Sequence, residues 1–270
     1  MRLIADGGST KVEWVLLDEN NDETLRATTL GINPLILSAE AVADSISGFA
    51  KNYPATAAAE EIEFYGAGCN ATGSAIIRDC LQKAYPDARK ICVGSDIIGA
   101  ARALLGSEEG IACILGTGAN SCLWDGNEIV RQTPALGFIL GDEGSGAVLG
   151  KLFLNALYKG VLPEELKTEF EQAYGTDMLG VIEHVYRQPG PNRWLASLSP
   201  FIHEHLHIAE VERLVEQNFE QFIVRNLLPY QRPDLPVCFI GSIAMHYREQ
   251  LTRMMERHGL TVGRILKSPL

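Results

Sequence analysis

The chain has 270 residues, of which 46% are hydrophobic and 21% are charged, as is ordinary for a globular protein large enough to form two domains. Its net charge of −11 argues against nucleic acid or an anionic membrane as the main partner, because proteins bind both through positively charged surfaces. No apolar stretch approaches the ~20 residues needed to span a bilayer. The 6 cysteines form no C-x-x-C pair, so we expect reduced thiols and a cytoplasmic location.

The first part of the chain predicts three strands followed by alternating helix and strand. The opening strands are expected at residues 1–5, 12–17 and 23–30, separated by a glycine turn and a polar turn. Apolar side chains at helical spacing predict helices at residues 39–53, 74–85 and 96–105. Further strands are expected at residues 62–66 and 90–94. This order predicts a mixed sheet with helices on its faces.

A second unit with the same opening pattern begins near Gly110. Its elements are expected to be strands at 111–115, 121–124 and 128–132, mostly helices from 143 to 228, a strand at 237–240, a helix to 258 and a strand at 262–266. Because both halves open with strand, glycine turn, strand, turn and strand, we predict an α/β protein with two domains, residues 1–106 and 107–270. We expect the two glycine turns to face each other across a cleft.

The two glycine turns carry groups that bind phosphate. Residues 6–11 read D-G-G-S-T-K, and residues 116–120 read G-T-G-A-N. Glycine lets the backbone approach a ligand and aim its N–H groups at phosphate oxygens, and a carboxylate such as Asp6 at a strand end suits a hydrated Mg²⁺. Either turn alone could be a hairpin that merely requires glycine, but the pair favours a nucleotide site. Neither turn is a P-loop or a dinucleotide fingerprint.

Three further segments lie where strands meet helices. Asp96 follows the strand at 90–94, where it could cap the next helix or take a proton from a substrate hydroxyl. Asp142 lies within residues 137–146, which contain more glycine than a helix cap requires. Gly241 and Ser242 are small enough to admit a flat ring such as adenine, although this signal is weak alone.

In this order, the segments resemble the N-acetylglucosamine kinase and BadF/BadG/BcrA/BcrD ATPase group of the actin-like ATPases. The resemblance covers nearly the whole chain, and it also includes Gly31-Ile32-Asn33-Pro34 and Gly141-Asp142-Glu143-Gly144-Ser145. It implies two domains of the ribonuclease H-like fold with the active site in the cleft between them. It further implies a phosphotransferase that uses ATP and Mg²⁺ to convert an amino sugar, first of all N-acetylglucosamine, to its 6-phosphate.

The resemblance also implies roles for individual residues. Asp96 is the expected general base, and Asp6 is the expected metal contact. The expected ATP contacts are Gly7, Gly8, Ser9, Thr10, Lys11, Gly116, Thr117, Gly118, Gly241 and Ser242. The expected sugar contacts are Asn33, Asp96, Ala119, Asn120, Gly137 and Asp142. The implied partners are the sugar and ATP, without nucleic acid or membrane, and a homodimer would be unsurprising.

Two alternatives stay open at the level of the sequence. An ATPase of the same group that activates a partner dehydratase would hold an iron–sulfur cluster at a dimer interface, and Cys69 is the loop cysteine that best fits this role. A non-catalytic sugar sensor would keep the fold and lose turnover. Elsewhere, the apolar stripe within residues 210–228 predicts a core helix. Neither the preferred sugar nor the phosphorylated hydroxyl follows from the sequence.

Overall fold

The computed structural model describes residues 1–8 and 10–270. The chain divides into two compact units, Met1–Ala103 with Pro269–Leu270, and Leu104–Ser268. The predicted boundary between residues 106 and 107 stays a prediction, and the last two residues group with the first unit although they were expected in the second domain. Over the part of the chain that is described, no helix is long and apolar enough to cross a membrane.

The first unit is built on one sheet. Its strands are β1 (Arg2–Gly7), β2 (Lys11–Leu17), β3 (Glu23–Leu30), β4 (Glu61–Gly66) and β5 (Lys90–Ser95), and the helices that follow them are α1 (Ala39–Asn52), α2 (Ala71–Ala84) and α3 (Asp96–Leu105). The sheet order is β3-β2-β1-β4-β5, in which the first three strands are antiparallel and β4 and β5 run parallel to β1. Trp14 of β2 stacks on Phe49 of α1, with ring centroids 4.1 Å apart, so the core joins the sheet to this helix.

The second unit repeats this arrangement. Its strands are β6 (Gly110–Leu115), β7 (Ala119–Trp124), β8 (Ile129–Gln132), β9 (Pro236–Ile240) and β10 (Thr261–Leu266). Its helices are α4 (Gly137–Leu140), α5 (Gly146–Tyr158), α6 (Glu164–Tyr174), α7 (Met178–Tyr186), α8 (Pro191–Ser197), α9 (Ser199–Glu204), α10 (Ala209–Phe222), α11 (Ser242–His246) and α12 (Arg248–Arg257), and α10 continues into a π-helical turn, Ile223–Leu227. The sheet order is β10-β9-β6-β7-β8, with β7 antiparallel to β6 and β8, and β9 parallel to β6 and β10.

The predicted fold class is confirmed, because both units contain a 5-stranded mixed sheet flanked by helices. Several details differ from the sequence prediction: α2 begins at Ala71 rather than at residue 74, and α4 (Gly137–Leu140) was not predicted. The second glycine turn is shorter than expected, since Ala119 and Asn120 already belong to β7 and pair with Leu115 and Ile114 of β6. The single helix expected after Gly241 is instead two helices that meet at a fully buried tyrosine, Tyr247.

Candidate active site

The carboxyl ends of three strands meet at one edge of the first sheet. In the parallel register, Gly7 of β1 lies opposite Gly66 of β4, and Gly66 lies opposite Ser95 of β5. Asp6 and Asp96 therefore lie at the same edge, one at the end of β1 and the other directly after β5. This edge is where open α/β sheets place ligands.

The first glycine turn joins β1 and β2 as a hairpin. The Gly8 N–H donates to the Lys11 carbonyl at 2.8 Å, and the Gly31 N–H donates to the Thr10 carbonyl at 3.0 Å. The side chains of Thr10 and Lys11 are exposed and can therefore reach a ligand. Ser9, a predicted ATP contact, lies outside the described residues.

Gly7 has a packing role in addition to its predicted one. A Cβ at Gly7 would lie 2.8 Å from Cζ of Phe64, and one at Gly66 would lie 2.6 Å from Cε1 of the same ring. Because real Cβ atoms do not approach this closely, the ring requires glycine at both strand ends. The Ala67 N–H then donates to the Gly7 carbonyl at 2.7 Å and ties the loop after β4 to the turn.

Asp6 occupies an environment that disfavours its charge. Burial, followed by the negative charges of Asp96 and Glu13, raises the pKa of Asp6 to about 6, although Lys11 acts in the opposite direction. A carboxylate in such surroundings is stabilised by a cation, and a hard divalent ion prefers oxygen ligands. Asp6 is thus suited to a cation bound at this edge.

Asp96 opens α3 and influences two neighbouring groups. Its Oδ1 accepts the Ile97 N–H at 2.8 Å, which fixes the carboxylate at the helix start. Burial and the charge of Asp96 together raise the pKa of the Cys69 thiol to about 12, and Cys69 is buried. Asp96 therefore lies close enough to both Asp6 and Cys69 to influence their charge.

Asn33 packs against the loop that carries Cys69. Its Oδ1 accepts the Leu35 N–H at 3.0 Å, which stabilises the loop before α1. A Cβ on Gly68, which has a φ of +78°, would lie 2.1 Å from the same oxygen. Glycine at position 68 is thus required both by the backbone conformation and by the close approach of Asn33.

A corresponding edge exists in the second sheet. Ile114 of β6 lies opposite Ile240 of β9, so Gly116 and Gly241 follow neighbouring strands closely. Gly241 has a φ of +120°, and a Cβ there would lie 2.3 Å from the Leu115 carbonyl oxygen. By contrast, a Cβ on Gly116 would have no atom within 4 Å, which leaves open space where a ligand can approach the backbone.

The second glycine turn is tied to the start of α5. The Gly116 N–H donates to the Gly118 carbonyl at 3.0 Å and closes the turn. The Gly146 and Ala147 N–H groups, at the start of α5, donate to the carbonyls of Gly116 and Thr117 at 2.8 and 3.2 Å. The turn is therefore held in one conformation by backbone hydrogen bonds.

The Asp142 carboxylate lies against this turn. A Cβ on Gly118 would be 3.0 Å from its Oδ2. Asp142 has a φ of +57°, and its carbonyl accepts the Ser145 N–H at 3.0 Å. Gly137 lies at the exposed start of α4, and its carbonyl accepts the Gly141 N–H at 2.7 Å.

The remaining predicted contacts lie at the ends of two elements. Asn120 Oδ1 accepts hydrogen bonds from the Ser121 N–H at 2.9 Å and from Gln132 Nε2 at 3.0 Å. Ala119 begins β7 beside it, and both residues are half-buried. Ser242 is exposed at the start of α11.

One residue at this edge was missed by the sequence analysis. Asn218 of α10 is 1% exposed, accepts the Gly144 N–H at 2.9 Å and donates through Nδ2 to the Ser145 carbonyl at 3.1 Å. The sequence does contain one indication of this role, because Asn218 is an amide residue within the otherwise apolar stripe of residues 210–228. A buried amide needs hydrogen-bond partners, so its position indicates a structured turn nearby.

Taken separately, the edge of the first sheet fits a divalent cation, and the edge of the second sheet fits a phosphate group. The backbone at Gly116 is open to a ligand. Burial and the charges of Asp96 and Glu13 raise the pKa of Asp6, and a bound cation would offset both effects. No group of three or more His, Cys, Asp or Glu side chains suited to a metal occurs among residues 1–8 and 10–270. Mg²⁺ commonly takes one or two carboxylates and completes its shell with water and phosphate oxygens, as this donor set would require.

The chain is similar to proteins of known structure. No protein-family model and no curated protein match it. Among solved structures, a protein of Porphyromonas gingivalis that is provisionally assigned as an N-acetylglucosamine kinase is 48% identical, with a TM-score of 0.97 and coverage of 100% of this chain and 95% of that one.

Two more distant structures share the fold. A protein of Chromobacterium violaceum, provisionally assigned as an N-acetylglucosamine kinase, is 20% identical, with a TM-score of 0.76 and coverage of 97% of this chain and 93% of that one. A ROK family glucokinase from Streptomyces griseus, solved with glucose and AMPPNP, is 14% identical, with a TM-score of 0.58 and coverage of 99% and 95%.

Proposed function

The chain belongs to the N-acetylglucosamine kinase and BadF/BadG/BcrA/BcrD group of the actin-like ATPases, and from this premise we propose that it is an ATP-dependent kinase of an amino sugar. N-acetylglucosamine is the proposed substrate, and N-acetylglucosamine 6-phosphate is the proposed product. The observation that carries the proposal is the convergence of Asp6 and Asp96 at the carboxyl edge of the first sheet. The 48% identity to the P. gingivalis protein, over the whole of this chain, supports the choice of substrate.

Asp96 is the proposed general base. It accepts the proton of the sugar hydroxyl as the γ-phosphoryl group passes from ATP to that oxygen. The hydrogen bond from Ile97 holds the carboxylate at the start of α3, where it can be aimed without a large loss of side-chain entropy. Its place at a strand end agrees with where ligands bind to sheets of this kind.

Asp6 is the proposed metal contact. Bound Mg²⁺ supplies neutralisation of the charge on the phosphate oxygens. The surroundings of Asp6 support this role, because a cation offsets the burial and negative charge that raise its pKa to about 6.

The two glycine turns are the proposed phosphate contacts. Thr10 and Lys11 offer a hydroxyl and an ammonium group from exposed positions. Gly8, whose N–H already donates to the Lys11 carbonyl, is proposed as a close approach of the backbone to the phosphates. Gly116 offers backbone without a side chain in the way, beside Thr117. The predicted contacts of the nucleotide with Gly7, Ser9, Gly118, Gly241 and Ser242 are retained as parts of the proposal.

The sugar is proposed to contact Asn33, Ala119, Asn120, Gly137 and Asp142 in addition to Asp96. Asn120 uses its amide oxygen to bind Ser121 and Gln132, so we expect its amide nitrogen to contact the sugar. Asp142 is held against the second glycine turn, where its carboxylate can accept hydrogen bonds from sugar hydroxyls.

The two alternatives gain no support from the described residues. Cluster ligation requires a thiolate, whereas burial and the charge of Asp96 raise the pKa of Cys69 to about 12. A sensor would not need both carboxylates at the edge of the first sheet. A homodimer and a cytoplasmic location stay predictions, and light scattering on the purified protein tests the first of them.

The direct test is ADP release from purified protein with Mg·ATP and a panel of sugars. The panel contains N-acetylglucosamine, N-acetylmuramic acid, N-acetylmannosamine, glucosamine and glucose. We expect strong stimulation by one N-acetylated amino sugar. ADP release that is independent of sugar would instead favour the activator ATPase, and sugar binding without ADP release would favour the sensor.

A further inference from the structure

The turn that carries Asp142 rests on one face of α10 and its π-helical extension. Asn218 binds the Gly144 N–H at 2.9 Å. One helical turn later, Phe222 packs tightly under Gly144. A Cβ added at Gly144 would lie 2.8 Å from the Cβ of Phe222. Another turn later, Arg225 donates to Glu143 Oε1 at 3.0 Å. Residues spaced in this way share a helix face, so α10 and its π-helical extension together contact the Asp142 turn at three successive points.

Asn218 is the member of this face with the most specific geometry. Its side chain is 1% exposed, and each end of the amide has a different backbone partner, the N–H of Gly144 and the carbonyl of Ser145. A buried polar group without a partner is destabilising, and an apolar residue at this position would leave two such groups in the turn. A carboxylate would satisfy the N–H but would face the carbonyl without a donor.

The backbone of the turn needs such support. Asp142 has a φ of +57°, a conformation that residues other than glycine adopt uncommonly and that the surrounding structure must hold. The Gly118 position lies so close to Asp142 Oδ2 that a Cβ there would be 3.0 Å away. A small rotation of the turn would therefore move the carboxylate relative to the second glycine turn.

We propose that Asn218 is a positioning residue, which holds residues 142–145 so that the Asp142 carboxylate stays aligned with the second glycine turn. The consequence for catalysis rests on the proposed function, in which Asp142 contacts the sugar. The consequence for the turn itself does not, because it follows from the two hydrogen bonds alone.

The test compares Asn218→Leu, which has nearly the same shape but cannot form either hydrogen bond, with Gln217→Leu. Gln217 is exposed on the same helix and, together with Asn218, lines a cavity of about 380 Å³ beside the turn. This control therefore removes a neighbouring amide and keeps both hydrogen bonds of Asn218. Asn218→Asp is the second variant. It keeps an acceptor for Gly144 and can be studied even where Asn218→Leu fails to fold.

Two readouts separate positioning from general damage. In Asn218→Leu, hydrogen exchange of the backbone amides in residues 141–146 should accelerate by about tenfold or more, whereas Gln217→Leu should match the wild type. In the same variant, kcat/KM for the sugar should fall by about tenfold or more, with a larger rise in KM for the sugar than for Mg·ATP.

Asn218→Asp adds a signature that a merely structural role would not produce. Burial raises the pKa of a carboxyl, and once protonated its O–H can donate to the Ser145 carbonyl. Activity relative to the wild type should therefore recover as the pH falls from about 8 to about 6, while Asn218→Leu shows no recovery. Glu143, Lys151 and Arg225 line the cavity beside this position and are common to all variants, so dividing by the wild-type rate at each pH removes their effect.

Unchanged exchange in residues 141–146 would overturn the proposal whatever the activity. Faster exchange with unchanged kinetics would overturn the catalytic consequence. If the wild-type protein shows no sugar-dependent ADP release, the proposed function fails, and the exchange measurement still decides whether Asn218 positions the turn.

Discussion

Asp6 and Asp96 lie at the same edge of the first sheet but in different local environments, which supports the different roles proposed for them. Asp6 ends a buried strand, and its pKa is raised to about 6 by burial and by the nearby charges of Asp96 and Glu13. Asp96 begins a helix and receives a backbone N–H from Ile97. The sequence predicted both as functional carboxylates, but their interaction depends on the register of β1, β4 and β5, which no local pattern encodes.

Replacement of Asp96 tests the general base. We expect Asp96→Asn to lower kcat by about 10²–10⁴-fold, because the amide cannot accept the hydroxyl proton, while sugar affinity changes by only a few fold. Steady-state kinetics and calorimetric sugar binding measure the two effects. Asp79→Asn, an exposed carboxylate on α2, serves as the control. A loss of kcat below about tenfold would contradict the assignment.

Removal of the Asp6 charge should stabilise the protein when Mg²⁺ and nucleotide are absent. The pKa of Asp6 is raised above its ordinary value of 3.8 to about 6, so the folded protein binds this proton more tightly than the unfolded chain does. The stability that comes from the protonated carboxyl is fully present below about 3.8 and is lost as the pH rises through about 6.

Thermal melting in the presence of EDTA measures this effect. The Tm of Asp6→Asn minus that of the wild type should increase between about pH 4 and pH 6 and level off at higher pH, and the variant should bind Mg·ATP more weakly. Asp87→Asn, at an exposed position, controls for a general change in charge. A Tm difference that is flat across this range would show that burial does not penalise the Asp6 charge.

At the scale of elements, hydrophobic periodicity and turn residues predicted the strands of both units and the helices of the first, whereas residues 143–228 were predicted only as mostly helical and the short helix α4 (Gly137–Leu140) was not predicted. β3 and α3 have the predicted bounds, because their ends are marked by strong local signals. The second glycine turn was predicted too long, since β-sheet pairing extends β7 to Ala119 against the preference of a G-T-G-A-N sequence for a longer turn. Asn218 was missed because its two partners lie more than 70 residues away in the chain.

Gly116 and Gly241, at the edge of the second sheet, differ in the space around them, so alanine substitutions should have different effects at the two positions. Gly116→Ala should fold normally, because no atom lies within 4 Å of the added Cβ, but it should weaken Mg·ATP binding about tenfold if phosphate occupies that space. Gly241→Ala should instead destabilise the fold by about 2 kcal/mol or more, because of its φ of +120° and the clash with the Leu115 carbonyl.

Urea unfolding and nucleotide titration measure the two effects. Unchanged Mg·ATP affinity in a stable Gly116→Ala protein would remove the second turn from the proposed phosphate site. A Gly241→Ala protein as stable as the wild type would mean that β6 and β9 do not approach as closely as described.

At the scale of the whole molecule, two units with no evident residue-level repeat have the same sheet order and strand directions. This duplication can be predicted from the sequence as a pattern, because the order of hairpins and helical crossovers depends on periodicity and turn residues rather than on residue identity. Which glycines serve packing and which leave space for a ligand cannot be predicted in this way. That distinction depends on atoms brought close by the fold, such as the Phe64 ring beneath Gly7.

The identity of the reaction product tests the central claim most directly. Purified protein incubated with Mg·ATP and N-acetylglucosamine should yield one ADP for each N-acetylglucosamine 6-phosphate formed, as measured by mass spectrometry and ³¹P NMR. ADP formation without any phosphorylated sugar, or no turnover with any sugar of the panel, would contradict the assignment as an amino sugar kinase.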